Sequence, residues 1–307
     1  MDNTEPEPAS SPALPKARRV PPGWVAPGPP GSTCDVALAA DEELSWLLGD
    51  WRIIQRRDGH RWSLDDFVTA WVARETGLGR GPPKAILDLG TGIGSVAFML
   101  GWCFPEAHVT GVEAQDVSYK MALRSAVANG VEDRYTFIHK DLRGVFHHRL
   151  QPGNSLIPTR NGFACELGKW DLVTGTPPYF DDPEQTRSLG VQKGPCRFEE
   201  RGGISDYLRA MELALSPHGR AVVCHASRHR ERVLAAIAAS GLSIERQLEV
   251  IPKVDREALV DVFVLAPAPR STSSATAWEQ LVVRDAGDQW TTAFLAVRLA
   301  MGMPPRP

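Results

Sequence analysis

Residues 85–94 read Ala85-Ile-Leu-Asp-Leu-Gly-Thr-Gly-Ile-Gly94, and this stretch decides the fold. A short, mainly apolar run that ends in glycines reads as a buried strand entering a tight turn, with a helix beyond it. Glycine removes side chains where a chain must turn sharply and approach a ligand. The helix that follows offers unpaired backbone N–H groups and the positive end of its dipole. Asp88 ends the strand, and a second apolar run ends in Glu113, 19 residues after Gly94.

Outward from this point, strands and helix-sized segments alternate. Strands are expected at 84–89, 108–114, 135–139, 170–175 and 220–225, and helices at 64–75, 95–103, 116–128, 204–215 and 229–240. Such alternation implies right-handed crossovers and a parallel sheet. Ser63 with Asp66 three residues on gives the 64–75 helix a capping-box start. The 116–128 helix is expected to bury Tyr119, Ala122, Leu123, Ala126 and Val127, and Asn129-Gly130 supplies its left-handed stop. A short strand over 51–55 precedes all of these.

The carboxy-terminal part breaks the alternation. Leu242–Pro252 and Ala258–Ala266 are strand-like, and the five residues 253–257 between them are too few for a crossover helix. They read as an antiparallel pair. A further strand at Gln280–Arg284 and a helix at 291–301 close the chain. The expected fold is α/β and Rossmann-like: a seven-stranded, mostly parallel sheet with an antiparallel terminal strand and helices on both faces. It forms one domain over 41–301, after a disordered Pro-rich tail at 1–33. Residues 1–31 hold nine of the 25 prolines and show almost no apolar periodicity.

At 307 residues and 43% apolar, the chain can bury one substantial core. A net charge of −3 exerts no general pull on polyanions or membranes, so any nucleic-acid partner must be met by a local basic patch. The five cysteines lack metal-ligand spacing, which predicts free thiols in a reducing cytoplasm and no metal site. No apolar run approaches the roughly 18 residues of a membrane span, and the first residues lack the order of a signal peptide.

Three acidic residues end three consecutive expected strands. Asp88 is placed for a methionine ammonium or its water, and Gly90, Gly92 and Gly94 shape the turn that receives the carboxylate. Glu113 is placed for both ribose hydroxyls. Asp141, in His-Lys-Asp-Leu, is placed for an adenine amino group, although a strand-end Asp is also an ordinary turn cap. Together these positions fit S-adenosylmethionine, and the terminal hairpin tells against a nicotinamide dinucleotide.

The second informative stretch is Trp170-Asp-Leu-Val-Thr-Gly-Thr-Pro-Pro-Tyr-Phe180. Pro177 and Pro178 lock φ and remove backbone donors, so the carbonyls of Thr176 and Pro177 become fixed acceptors. An amine conjugated to a ring is a poor nucleophile; acceptors on its hydrogens draw the nitrogen toward a tetrahedral form and orient it. Tyr179 is expected to stack on the base, and Phe180 to extend that platform.

On these residues the chain resembles the bacterial methyltransferases that act on N6 of an adenine beside the anticodon of a valine tRNA, within the "small" methyltransferase superfamily. The resemblance runs from about residue 41 to 301. It rests on Arg61-Trp-Ser-Leu-Asp65, Ile86–Gly94, Thr176–Phe180, and Glu279–Arg284 with Trp290–Phe294. It implies a class I methyltransferase that uses S-adenosylmethionine in RNA methylation, with tRNA as partner. The family pattern has Asn where this chain has Thr176, and enzymes that methylate the N4 amine of cytosine carry Ser there. Two alternatives stay open: a small-molecule N- or O-methyltransferase, and a catalytically weak RNA-binding relative.

Candidate phosphate contacts are Arg228 and Arg230, with His229 and Arg232 beside them. Arg56, Arg57 and Arg61 form a second cluster, and the polar loop 181–203 carries Arg187, Lys193, Arg197 and Arg201. A solvated loop is an equally good reading of 181–203. Amine methylation needs little general base, so His60, His225 and the pair His147-His148 are read as structural or surface histidines.

Overall fold

The computed structural model describes residues 21, 23–32, 35–146, 169–179, 202–268 and 277–305. Its centre is an eight-stranded sheet. In chain order the strands are β3 (Ala85–Leu89), β4 (His108–Glu113), β5 (Tyr135–His139), β6 (Trp170–Gly175), β7 (Leu215–Ala226), β8 (Leu242–Ile251), β9 (Val260–Pro267) and β10 (Trp278–Val282). They lie in the order β10-β8-β9-β7-β6-β3-β4-β5. Every pairing is parallel except those of β9 with β7 and β8.

The expected class is present, with two differences. The sheet has eight strands because β10 adds a parallel edge strand beside β8. The antiparallel strand lies inside the sheet, not at its end. The short link after β8 forces the chain straight back, so β9 fills the gap between β8 and β7.

A separate antiparallel hairpin, β1 (Glu42–Trp46) and β2 (Arg52–Arg56), precedes the sheet. The sequence gives only its second strand. Two layers cover the large sheet. One holds α1 (Leu64–Leu78), α2 (Ser95–Cys103), α3 (Asp116–Asn129), the hairpin and α7 (Thr292–Ala300). The other holds α4 (Leu142–Phe146), α5 (Ile204–Ala214) and α6 (Arg230–Ala238). Expected and observed helices agree to within a few residues. The 229–240 helix is shorter, because Ser227–His229 form a 3₁₀ turn before it.

Helix α3 buries Ala122 and Ala126 of its expected face and packs Tyr119 against the core, but is rotated so that the other edge of that face is exposed. Leu123 and Val127 are 40% and 39% exposed, while Ser118, Met121, Ala122, Ser125, Ala126 and Asn129 are buried. The cause is the hairpin, whose β2 edge needs partners. Ser125 Oγ accepts the Ile54 N–H at 2.9 Å, and Asn129 accepts the Arg52 N–H at 2.8 Å while donating to its carbonyl at 2.7 Å. Backbone groups outrank two valine- and leucine-sized side chains in setting the rotation. Gly130 stops the helix at φ 65°, as expected.

Part of the segment expected to be tail is packed. Gly28 lies so close to the Trp102 indole that a Cβ there would sit 2.2 Å from the ring. The rest of the 1–33 tail expectation lies mainly outside the described residues.

Candidate active site

The carboxyl ends of β3, β4, β5 and β6 face one cleft. Its floor is the glycine turn, which is knitted to β4. Thr91 N donates to the Val112 carbonyl at 2.9 Å, and Gly92 N donates to Glu113 Oε2 at 2.8 Å. Glu113 Oε1 accepts the Gln115 N–H at 2.6 Å. A carboxylate has about four acceptor sites, so one oxygen can serve more than one donor. Val112 and Leu142 supply apolar walls, and Lys140 stands beside Leu142.

Of the expected cofactor residues, Gly90, Gly92 and Glu113 line this cleft. Gly94 stands as the cap of α2 at φ 92°. Asp88 is 3% exposed and sits beneath the turn, not in the cleft wall. Its oxygens accept from Thr91 Oγ1 at 2.6 Å and Thr174 Oγ1 at 2.7 Å. Burial pushes its carboxyl up to about 6, against the pull of those two hydroxyls. Asp88 thus ties the turn to β6, the strand that leads into Thr176. Asp141 is turned aside: Arg143 engages it through the backbone N–H at 2.9 Å and the guanidinium at 3.0 and 2.7 Å.

Residues not anticipated as site residues also join the wall, among them Asp66, Ser95, His60 and Tyr207. Asp66 is the capping-box residue of α1 and accepts the Ser63 N–H at 3.1 Å. Its burial, with Asp65 adjacent, holds its carboxyl well above the usual carboxylate range. The capping signal was visible in the sequence, but not that its acid also lines the cleft. Tyr207 reaches from α5 between the glycine turn and Gly175, a placement with no sequence signal. His60 lines the cleft, which the expectation of a structural or surface role did not foresee.

Thr176 and Pro178 line the same cleft, so the Thr176–Tyr179 loop and the glycine turn share one space, with Pro177 buried behind. Tyr179 lies beyond, half-buried; its hydroxyl donates to Asp65 at 2.9 Å and lies 3.7 Å from Cys224 Sγ. Its ring centroid is 5.1 Å from that of His225. Burial, with Cys224 and Asp65 alongside, holds the phenol well above its ordinary range. His225 is fully buried, as its structural reading implied, and burial brings its imidazole down to about 4. Phe180, the His147-His148 pair and almost all of the 181–203 loop lie outside the described residues.

The two arginines expected to touch substrate differ. Arg230 is committed inward, to Asp261 at 2.7 Å and Glu249 at 2.7 Å, and lies over the Trp278 ring at 4.2 Å. Arg228 is exposed and donates to His229 at 3.0 Å. In the other cluster, Arg56 pairs with Asp41, Arg61 with Glu43, and Arg57 donates to the Ala40 carbonyl.

No family profile matches the chain. Among curated proteins it is 28% identical over 210 residues to the tRNA1(Val) (adenine(37)-N6)-methyltransferase of Porphyromonas gingivalis, covering 61% of this chain and 74% of the relative. The chain is a class I methyltransferase that uses S-adenosylmethionine. A release factor glutamine methyltransferase of Chlorobaculum tepidum is 30% identical to the methyltransferase over 127 residues, covering 41% of this chain and 37% of that relative. Among solved structures, a predicted O-methyltransferase from Agrobacterium tumefaciens superposes with a TM-score of 0.52 at 15% identity, covering 78% of the methyltransferase and 98% of that chain, a likeness of fold.

The cleft suits this cofactor in its donors and acceptors. Buried acids stand at two places, Asp66 beside the glycine turn and Glu113 at the end of β4, with the Thr91 and Ser95 hydroxyls near the start of α2. Anions are favoured at such a helix start and cations beside buried carboxylates. No helix among the described residues is long and apolar enough to cross a membrane.

Proposed function

We propose that this methyltransferase methylates an exocyclic amine of a nucleic-acid base, with N6 of a tRNA adenine as its first target. The observation that carries the reading is the position of Thr176-Pro-Pro-Tyr179: its first and third residues line the cofactor cleft and its tyrosine ring stands just outside. The relatives named for tRNA adenine support it, since their similarity reaches well beyond the glycine turn and the Pro-Pro-Tyr segment.

In this reading Glu113 accepts the ribose hydroxyls and Asp66 meets the methionine ammonium. Asp88 holds the turn from below through Thr91 and Thr174. The bound cofactor supplies an electrophilic methyl group. Carbonyl acceptors of the Thr176–Pro178 turn take hydrogen bonds from the amine and aim its lone pair at that methyl. Methylation of the amine nitrogen would leave the C–S bonding electrons on the cofactor's sulfur. The surplus proton leaves the nitrogen for water afterwards, so no buried base is required and His225 can stay neutral. Tyr179 holds the plane of the base by stacking, an interaction worth about 1–3 kcal/mol per base. Thr176 accepts through its hydroxyl where the family pattern has an amide oxygen.

A small-molecule acceptor is the second reading, favoured by the ion pairs that neutralise Arg56, Arg61 and Arg230. An acceptor panel separates the two: labelled methyl offered to unmodified tRNA, to a release factor and to small aromatic amines. Incorporation into tRNA, lost in Tyr179→Ala while cofactor binding persists, supports the first reading. Incorporation into the small amines alone overturns it.

A further inference from the structure

The two carboxylates that open α1 face different parts of the site. Asp66 lines the cofactor cleft, and its neighbour Asp65 accepts the Tyr179 hydroxyl at 2.9 Å. Ser63 joins them, its backbone N–H donating to Asp66 at 3.1 Å and its hydroxyl donating to Asp65. An unbroken run of hydrogen bonds therefore leads from the cleft wall through Asp66, Ser63 and Asp65 to Tyr179.

Tyr179 needs such a hold. It follows two prolines, which offer no backbone N–H to anchor the loop. The His225 ring leans against it at 52°, and the hydroxyl fixes the far end of the side chain to Asp65. A ring held at one face and at its tip can present its remaining face in a single plane. Asp65 and Asp66 are consecutive residues in one capped helical turn, so a group that settles against Asp66 constrains Asp65 as well. Reacting groups misplaced by about 1 Å lose as much as ~100-fold in rate.

We propose that Asp65 is a positioning residue: it fixes the Tyr179 acceptor platform and, through Ser63 and Asp66, makes that platform depend on occupancy of the cofactor cleft. The proposal rests on Tyr179 being the platform for the acceptor. Cofactor bound first then prepares the place where the base stacks, and Asp65 acts on the reaction without touching cofactor or base.

The chain has four tyrosines, so full-length protein labelled with 3-fluorotyrosine gives a countable ¹⁹F spectrum, in which Tyr179→Phe identifies one signal by its loss. Adding S-adenosylhomocysteine is expected to shift the Tyr179 signal in the unaltered protein. In Asp65→Ala that shift is lost, while affinity for S-adenosylhomocysteine stays within about twofold, as expected for a carboxylate outside the cleft. In methyl transfer to tRNA, Asp65→Ala and Tyr179→Phe each lower kcat/KM at least about tenfold, and the double variant is no worse than either single one. Asp65→Asn, which keeps an acceptor oxygen, recovers most of the loss. Tyr179→Phe removes the same bond from the other partner and serves where Asp65→Ala does not fold. A Tyr179 signal that responds alike with and without Asp65 overturns the coupling, and additive kinetic losses overturn the positioning role. Absence of transfer by the unaltered protein instead overturns the acceptor reading, while the ¹⁹F response still decides the coupling.

Discussion

Glu113 Oε2 accepts the backbone N–H of Gly92 at 2.8 Å, across 21 residues of sequence. The strand-end acid and the glycine turn are therefore one structural unit. Glu113→Ala removes the acid proposed to hold the ribose and takes the carboxylate partner from the part-buried N–H groups of Gly92 and Gln115. A fully buried donor left unpaired costs about 1–3 kcal/mol, and these part-buried ones cost less. Affinity for S-adenosylmethionine, measured by titration calorimetry, is expected to fall at least about tenfold, with a loss of thermal stability beside it. Unchanged affinity would remove Glu113 from the cofactor site.

Two glycines of the same turn are expected to respond unequally. Both have positive φ, 61° at Gly90 and 58° at Gly92. A Cβ at Gly90 would lie 2.0 Å from the Tyr207 hydroxyl, whereas at Gly92 the nearest atom is 4.0 Å away. Gly92→Ala carries only backbone strain, about 1–2 kcal/mol. Gly90→Ala adds overpacking and reaches roughly 3 kcal/mol. Denaturant unfolding checks the order, and equal losses would contradict the place given to Tyr207.

The buried groups near the turn predict opposed pH dependences. For Asp88, the folded value of about 6 lies above the ordinary 3.8. The folded state holds the extra proton between these values, so this contribution is full below pH 3.8 and is lost as pH rises through about 6, about 3 kcal/mol in all. For His225, the folded value of about 4 lies below the ordinary 6.5. Here the unfolded chain binds the extra proton, so stability is lost as pH falls from 6.5 toward 4. The two terms oppose each other between pH 4 and 6. In that window Asp88→Asn is expected to make stability rise more steeply with pH, and His225→Gln less steeply. Unfolding free energies measured over this range would show identical slopes if neither group were perturbed.

Arg228 and Arg230 stand two residues apart with different tasks. Arg230→Glu abandons Asp261, which is 1% exposed, and is expected to cost roughly 2–3 kcal/mol of stability because the pair is part-exposed. Arg228→Glu gives up the exposed contact with His229 and is expected to keep the melting temperature. If tRNA passes over this edge, Arg228→Glu alone weakens binding and reduces the salt slope by about one. An unchanged slope would place the RNA elsewhere.

The sheet, its antiparallel pair and the helices were legible because each rests on local signals: apolar period, glycine turns and link length. The rotation of α3 was not, because Ser125 and Asn129 serve the edge of β2, more than 70 residues away in sequence. In the candidate site, the placing of Glu113 and of Thr176 and Pro178 at one cleft was legible from strand ends and prolines. The pairing of Asp141 with Arg143 and of Arg230 with Asp261 was not, since only the folded chain brings those partners together. Tyr207 reaches the turn from a helix whose pattern records only its burial.

Methyl transfer to a base amine leaves its mark in the product nucleoside. Unmodified tRNA incubated with the methyltransferase and S-adenosylmethionine is digested to nucleosides and resolved by mass spectrometry. N6-methyladenosine that disappears in Tyr179→Ala is the predicted result. Absence of any methylated nucleoside from tRNA, with S-adenosylmethionine bound, would contradict it.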